Sequence, residues 1–230
     1  MMKEEITIQN MSCKLYGDRN TDKILFWFTG VHERNGVDGV CMQLMHTAKA
    51  PFLMITCEVE NWNAQLSPWH ADAVYGSEGF SGNGTQTLEW MQKACIPYLE
   101  QQYHILSKPK QLFIGGYSLS GLFALWAFYE LHIFKGVAAC SASLWFPHWL
   151  EYAAEHTIPA DSLIYLSLGI KEEKTRNAVM ATVGDATRSL YQRYSKDSLA
   201  ADVKLEWNAG NHFTQPDDRV CKGFAWLLEH

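Results

Sequence analysis

Residues 111–121, Gln111-Leu-Phe-Ile-Gly-Gly-Tyr-Ser-Leu-Ser-Gly121, run apolar, break into glycines, present Ser118 and continue as Leu122-Phe-Ala-Leu-Trp-Ala-Phe128. Read physically, this is a buried strand, a tight turn and a helix. Gly116 and Gly121 bracket the serine in a spacing close to G-x-S-x-G, the nucleophile elbow that holds a serine out at the carboxyl end of a sheet. Ser120 stands where the strict motif has its last glycine. Small residues are needed there so that the helix can pack on the strand, and serine is a mild departure. Taken alone, Ser118 reads first as a turn serine capping the next helix. Ser120 is disfavoured as a nucleophile because the bulky Leu122 follows it where an elbow needs a small residue.

Outward from the elbow, apolar runs recur. Lys23–Phe28 and Pro51–Cys57 precede it, and Phe134–Cys140, Leu163–Leu168 and Val203–Trp207 follow. Each reads as a buried strand. Residues 4–17 suggest a hairpin, and a helix should join the strands ending at Phe28 and Cys57, after a polar loop over residues 31–36. Asn83 caps a helix in which Leu88, Met91, Cys95 and Tyr98 keep helical spacing, with Pro97 bending or shortening it. Val179, Val183, Ala186, Leu190 and Tyr194 mark one face of a long helix, and Val220, Phe224 and Leu227 mark a closing one. Strand–helix alternation predicts an α/β fold: a mostly parallel central sheet with helices on both faces and its ligands at the strands' carboxyl ends. No insertion is large enough for a separate lid domain.

With 230 residues and 47% hydrophobic composition the chain supports one sizeable core, and residues 1–228 read as a single domain. Leu228-Glu229-His230 resembles the start of a purification tag, so residues 229–230 are set aside. A net charge of -6 without a basic cluster argues against nucleic acid or an anionic membrane as partner. No apolar leader and no stretch of ~20 apolar residues is present, which points to a cytoplasmic protein without a membrane span. The six cysteines lie far apart without a C-x-x-C pair and read as reduced core residues. The scattered histidines have no metal-ligand spacing, so no metal or cofactor is expected. Oligomeric state is not encoded in any feature of the sequence.

A serine hydroxyl is a poor nucleophile without a general base and a group to orient it. In a parallel sheet the turns after successive strands share one edge. The turn after Leu168 offers Glu172 and Glu173, and the turn after Trp207 offers His212. The order Ser, acid, His is that of an α/β-hydrolase. His212 would take the Ser118 proton while the carboxylate holds the imidazole. The backbone N–H of Leu119, with Gly30 and Val31 in the loop after Phe28, would form the oxyanion hole. The long segment Glu58–Gly84 is a candidate binding loop. Trp62, Trp69 and Trp145 fall in loops after strand ends and are candidate substrate-stacking residues, whereas His32 and His70 read as wall or surface residues. A phosphate-binding reading of the glycine turn fails because no Lys-Ser/Thr follows Gly121.

The combination Gly-Tyr-Ser-Leu-Ser-Gly-Leu-Phe-Ala-Leu, Ser-Leu-Gly-Ile-Lys-Glu-Glu-Lys-Thr and Gly-Asn-His-Phe resembles the putative-esterase family, the enterochelin-esterase-like branch of the α/β-hydrolases. The resemblance spans roughly Ile24 to Leu227. It implies a serine hydrolase acting on a carboxylic ester of a small molecule, with Ser118 as nucleophile and His212 as base. An acid three residues after a strand-end glycine points to Glu172 rather than Glu173, although aspartate is the usual occupant. The reading from another class is a non-catalytic carbohydrate or siderophore binder on the same fold.

Overall fold

In the computed structural model, which describes residues 2–104 and 111–230, strands and helices alternate along the chain. A hairpin, β1 (Met2–Ile8) and β2 (Met11–Gly17), leads into β3 (Lys23–Gly30), α1 (Arg34–Thr47) and β4 (Leu53–Val59). The segment after β4 holds a one-turn helix, α2 (Trp62–Gln65), and a two-residue ladder, β5 (His70–Ala71) with β6 (Phe80–Ser81). Next come α3 (Gly84–Trp90), α4 (Ile96–Tyr103), β7 (Gln111–Tyr117), α5 (Leu119–Leu131), β8 (Gly136–Cys140) and α6 (Trp149–Glu155). The chain closes with β9 (Ser162–Gly169), α7 (Ala178–Ala181), α8 (Val183–Tyr194), β10 (Ala200–Asn208) and α9 (Pro216–Glu229).

Eight strands form one sheet in the order β1-β2-β4-β3-β7-β8-β9-β10. The β1–β2 and β2–β4 pairs are antiparallel and the others parallel. Side-chain alternation divides the core into two layers. Ile24, Phe26 and Phe28 of β3, with Leu112 and Ile114 of β7, pack on the face covered by α5 and α8. Leu25, Trp27 and Phe113 point the other way, against Val37 and Leu44 of α1 and Phe224 and Leu227 of α9. Helix α5 is apolar almost all round because it is buried from Leu119 to Tyr129. All six cysteines are buried free thiols. No helix among the described residues is long and apolar enough to cross a membrane.

The local differences from expectation have identifiable causes. Residues 31–36 are not a loop: a single 3₁₀ turn over Val31–Glu33 runs into α1, because the Glu33 carboxylate reaches back to accept the Gly30 N–H at 2.9 Å. The helix after Asn83 is not shortened at Pro97. A π-turn over Met91–Cys95 joins α3 to α4 and absorbs the hydrogen bond that proline cannot donate. The long helix expected from Val179 is split into α7 and α8. Both the N–H and the hydroxyl of Thr182 bond to the Val179 carbonyl, closing the turn early.

The elbow depends on the absence of one side chain. A Cβ on Gly116 would stand 2.1 Å from Ser120 Oγ and 2.7 Å from the Ser120 carbonyl carbon. Gly116→Ala is therefore expected to lower the free energy of unfolding by about 1–3 kcal/mol in urea titrations. Gly39→Ala, in α1 with nothing within 4 Å of the new carbon, should instead raise it by about 0.5–1 kcal/mol.

Candidate active site

The parallel strands deliver their carboxyl ends to one edge, and the site is assembled there from turns far apart in sequence. β7 ends at Tyr117 and α5 begins at Leu119, so Ser118 makes the whole turn, with φ 57° and ψ -123°. Such a backbone is rare for a residue with a side chain and persists only where its surroundings impose it. Here the Ser118 N–H donates to the Cys140 carbonyl at 3.2 Å, while its own carbonyl accepts from Leu122 and Ser143 N–H at 3.1 and 3.0 Å. The Ser118 hydroxyl does not cap the helix. It lies 3.1 Å from Nε2 of His212. Ser120, 1% exposed, donates its hydroxyl to the Phe28 carbonyl at 2.5 Å and ties the elbow to the end of β3.

His212 follows β10, and its Nδ1 lies 2.7 Å from Glu172 Oε2, in the turn after β9. The other oxygen, Oε1, accepts from the Gly169 N–H at 2.7 Å, Ser141 Oγ at 2.8 Å and Arg219 Nη1 at 2.8 Å. Arg219, 2% exposed, rises from the first turns of α9. Its Nη2 donates to the carbonyls of Ala209 and Asn211, both at 2.9 Å, and so holds the turn that carries His212. The Tyr117 hydroxyl donates to the His212 carbonyl at 2.6 Å. Glu173 faces away and pairs with Arg188 at 2.8 Å.

Burial pushes the Glu172 carboxyl up, but the hydrogen bond and charge of His212, with the donors Gly169 and Ser141, outweigh it and hold the group below its ordinary 4.5. An ionised carboxylate can only accept, so Nδ1 of His212 carries the proton and Nε2 presents a lone pair to Ser118 Oγ. A hydroxyl hydrogen-bonded to an imidazole that is itself held by a carboxylate can lose its proton as it attacks an electrophilic carbon.

Two cavities meet at Ser118 and His212. The larger, about 460 Å³, is lined by Ser143, Trp145, Lys171, Lys174 and Met180; the smaller, about 360 Å³, by His32, Glu33, Trp62, Tyr117 and Asp217. Phe213, 86% exposed, lines both. Trp145 and Trp62 thus face the site, Trp62 with His32 against it edge-on at 4.7 Å. Trp69 lines neither cavity. Its indole donates to the Pro147 carbonyl at 2.9 Å, and its ring packs with Phe146, Trp149 and Tyr152. The Leu119 N–H opens α5, where no preceding turn supplies an acceptor. Of the other two residues expected to supply donors, Gly30 has its N–H committed to Glu33, and Val31 is 48% exposed beside it. Among the described residues no group of three or more His, Cys, Asp or Glu side chains could hold a metal ion.

The profile of the family described as Putative esterase matches residues 1–212, most of the chain and up to His212 itself. The chain belongs to that family. As a member of the Putative esterase family it is a carboxylic ester hydrolase, and its sheet and surrounding helices are those of the α/β-hydrolase type. The uncharacterized protein YbbA of Bacillus subtilis (strain 168) is 22% identical over 183 residues, 77% of this chain and 72% of that protein. Among solved structures, an IroE-like serine hydrolase from Shewanella oneidensis superposes with a TM-score of 0.81 at 13% identity, covering 99% of this chain and 80% of the other. The siderophore hydrolase EstA from Aspergillus nidulans does so at 0.75 and 13% identity, covering 99% and 94%. At these identities the superpositions establish a common fold.

Arg219 and Ser141 escaped the sequence reading. In sequence, Asp217-Asp218-Arg219 is an ordinary charged helix start, and nothing local marks the arginine as buried. Removing one partner of a buried ion pair strands the other, so Arg219→Met should cost about 3–5 kcal/mol of stability, measured by chemical denaturation. Because the native Glu172 pKa is depressed, its ionisation stabilises the fold fully above about pH 4.5 and loses that effect as pH falls through the native value. The stability gap between wild type and Glu172→Gln is expected to be constant at neutral pH and to shrink below about pH 4.5.

Proposed function

We propose that the protein hydrolyses a carboxylic ester of a small molecule through an acyl-enzyme, with Ser118 as nucleophile, His212 as general base and Glu172 as the orienting acid. The observation that carries this reading is the unbroken line of hydrogen bonds from Glu172 Oε2 through both nitrogens of His212 to Ser118 Oγ. Ser118 Oγ attacks the ester carbonyl carbon as its proton passes to Nε2 of His212. The imidazolium formed is stabilised by the ionised Glu172, and the oxyanion by the N–H groups of Leu119 and Val31. Gly30, its N–H occupied by Glu33, acts in this reading through the shape of the 3₁₀ turn it opens. Collapse expels the alcohol, which takes the proton from His212. Water, deprotonated by the same imidazole, then attacks the acyl-serine and releases the acid.

Two cavities of a few hundred Å³ on either side of the nucleophile suit the two halves of a small ester, with Trp145 and Trp62 as their aromatic walls. A siderophore-like or aryl ester is compatible with that size, and EstA, which shares the fold, is a siderophore hydrolase.

A fluorophosphonate probe should label the wild-type protein stoichiometrically and Ser118→Ala not at all, with peptide mass spectrometry locating the adduct. Absence of labelling on the wild type would retire Ser118 as the nucleophile. On p-nitrophenyl acetate, Ser118→Ala should lose on the order of 10⁶ in kcat and Glu172→Gln about 10⁴. Glu173→Gln should remain within about twofold of wild type, since that carboxylate is engaged with Arg188. Equal losses at the two glutamates would sink the assignment of the acid.

A further inference from the structure

The two cavities at Ser118 differ in charge, the larger holding two lysines beside Glu172 and the smaller two carboxylates. The larger has Lys171 and Lys174 in its wall, neither paired with a carboxylate within 4 Å among the described residues. The smaller has Glu33 and Asp217. Glu33 accepts one hydrogen bond, from Gly30, and among the described residues no lysine, arginine or histidine nitrogen lies within 4 Å of either carboxylate. The Asp217 carboxylate hangs over the start of α1, where a Cβ on Gly36 would stand 3.2 Å from its Oδ2. Burial pushes the Glu33 carboxyl up to about 7; the Gly30 hydrogen bond opposes that shift and the Asp217 charge adds to it. Burial, and then the charge of Asp218, also push Asp217 up. Among the described residues the Gly30 N–H alone opposes this crowding, and a bound cation would favour the ionised form of both carboxylates.

Two further observations come from the same cavity. Trp62 and Phe213 give it aromatic walls, and aromatic faces attract cations. Trp27 also lines it, and although this side chain is only 2% exposed, its indole N–H has no hydrogen-bond partner. A buried donor without an acceptor is uncommon in a folded protein.

We propose that the smaller cavity is an ammonium subsite: the ester presented to Ser118 carries a positively charged nitrogen, as in an amino-alcohol or amino-acid ester, held among Glu33, Asp217 and Trp62. The assignment rests on Ser118 being the nucleophile. It also orients the substrate, because Lys171 and Lys174 repel the same cation from the opposite cavity.

The test compares two thioesters of the same shape, acetylthiocholine and its neutral carbon analogue S-(3,3-dimethylbutyl) thioacetate. Wild type should favour the cation by roughly tenfold or more in kcat/KM. That ratio should fall in Glu33→Gln and in Asp217→Asn and approach one in the double variant. A wild-type ratio near one, or a ratio unchanged in the double variant, overturns the proposal. Reading the ratio within each variant separates charge recognition from any general loss of activity. Calorimetric titration of Ser118→Ala with choline and with 3,3-dimethylbutanol reads the subsite without turnover. Choline should bind more tightly, and equal binding of the two, or none, overturns the subsite even where a fluorophosphonate labels Ser118. Preferential choline binding by a protein whose serine fails to label upholds the subsite and retires the nucleophile instead.

Discussion

The contact on which the site depends is the buried pair of Arg219 and Glu172. A carboxylate 5% exposed and a guanidinium 2% exposed could not be placed in the interior singly. Together they are tolerated because hydrogen-bond partners surround both. Arg219 reaches Glu172, Ser141, Tyr117 and two carbonyls of the His212 turn. One cation from the last helix thereby fixes the turn after β9, the turn after β10 and the end of β7 relative to each other. The distances between Ser118, His212 and Glu172 are set by this network, which is buried beneath residues that are themselves partly open to solvent.

A second constraint acts at the elbow. Ser118 is held in a backbone conformation that disfavours side chains, and the surrounding hydrogen bonds to Cys140, Leu122 and Ser143 offset the strain. Gly116 leaves room for Ser120, and the Ser120 hydroxyl binds the carbonyl of Phe28. The departure from the strict motif therefore adds a link between β3 and α5. Through that link the 3₁₀ turn carrying Val31 and Glu33 is registered against the turn carrying Ser118.

Much of this was legible in the sequence because a parallel sheet turns chain order into geometry. Apolar runs located the central strands, and the residues immediately after them, Ser118, Glu172 and His212, had to reach one edge. What escaped depended on tertiary contacts with no local signal. Arg219 looks like any charged residue in a first helical turn until α9 is packed beneath the sheet edge. Trp69 and Trp145 are both loop tryptophans by sequence, and only packing sends the first into a cluster with Trp149 and Tyr152 and the second to the cavity. The π-turn before Pro97 and the break at Thr182 are likewise choices of individual hydrogen bonds, which periodicity does not register.

The two oxygens of Glu172 are used separately: Oε1 is saturated by three donors from the scaffold, while Oε2 is left for the imidazole. Side-chain length and turn position are consequently locked together. An aspartate at this position would be shorter by one carbon–carbon bond, about 1.5 Å. It would have to surrender either the scaffold donors or His212, unless the turn after β9 moved forward by the same amount. Within this fold, exchanging one acid for the other requires two coordinated changes, a residue and a loop, so the identity of the acid records how far that turn stands from its histidine.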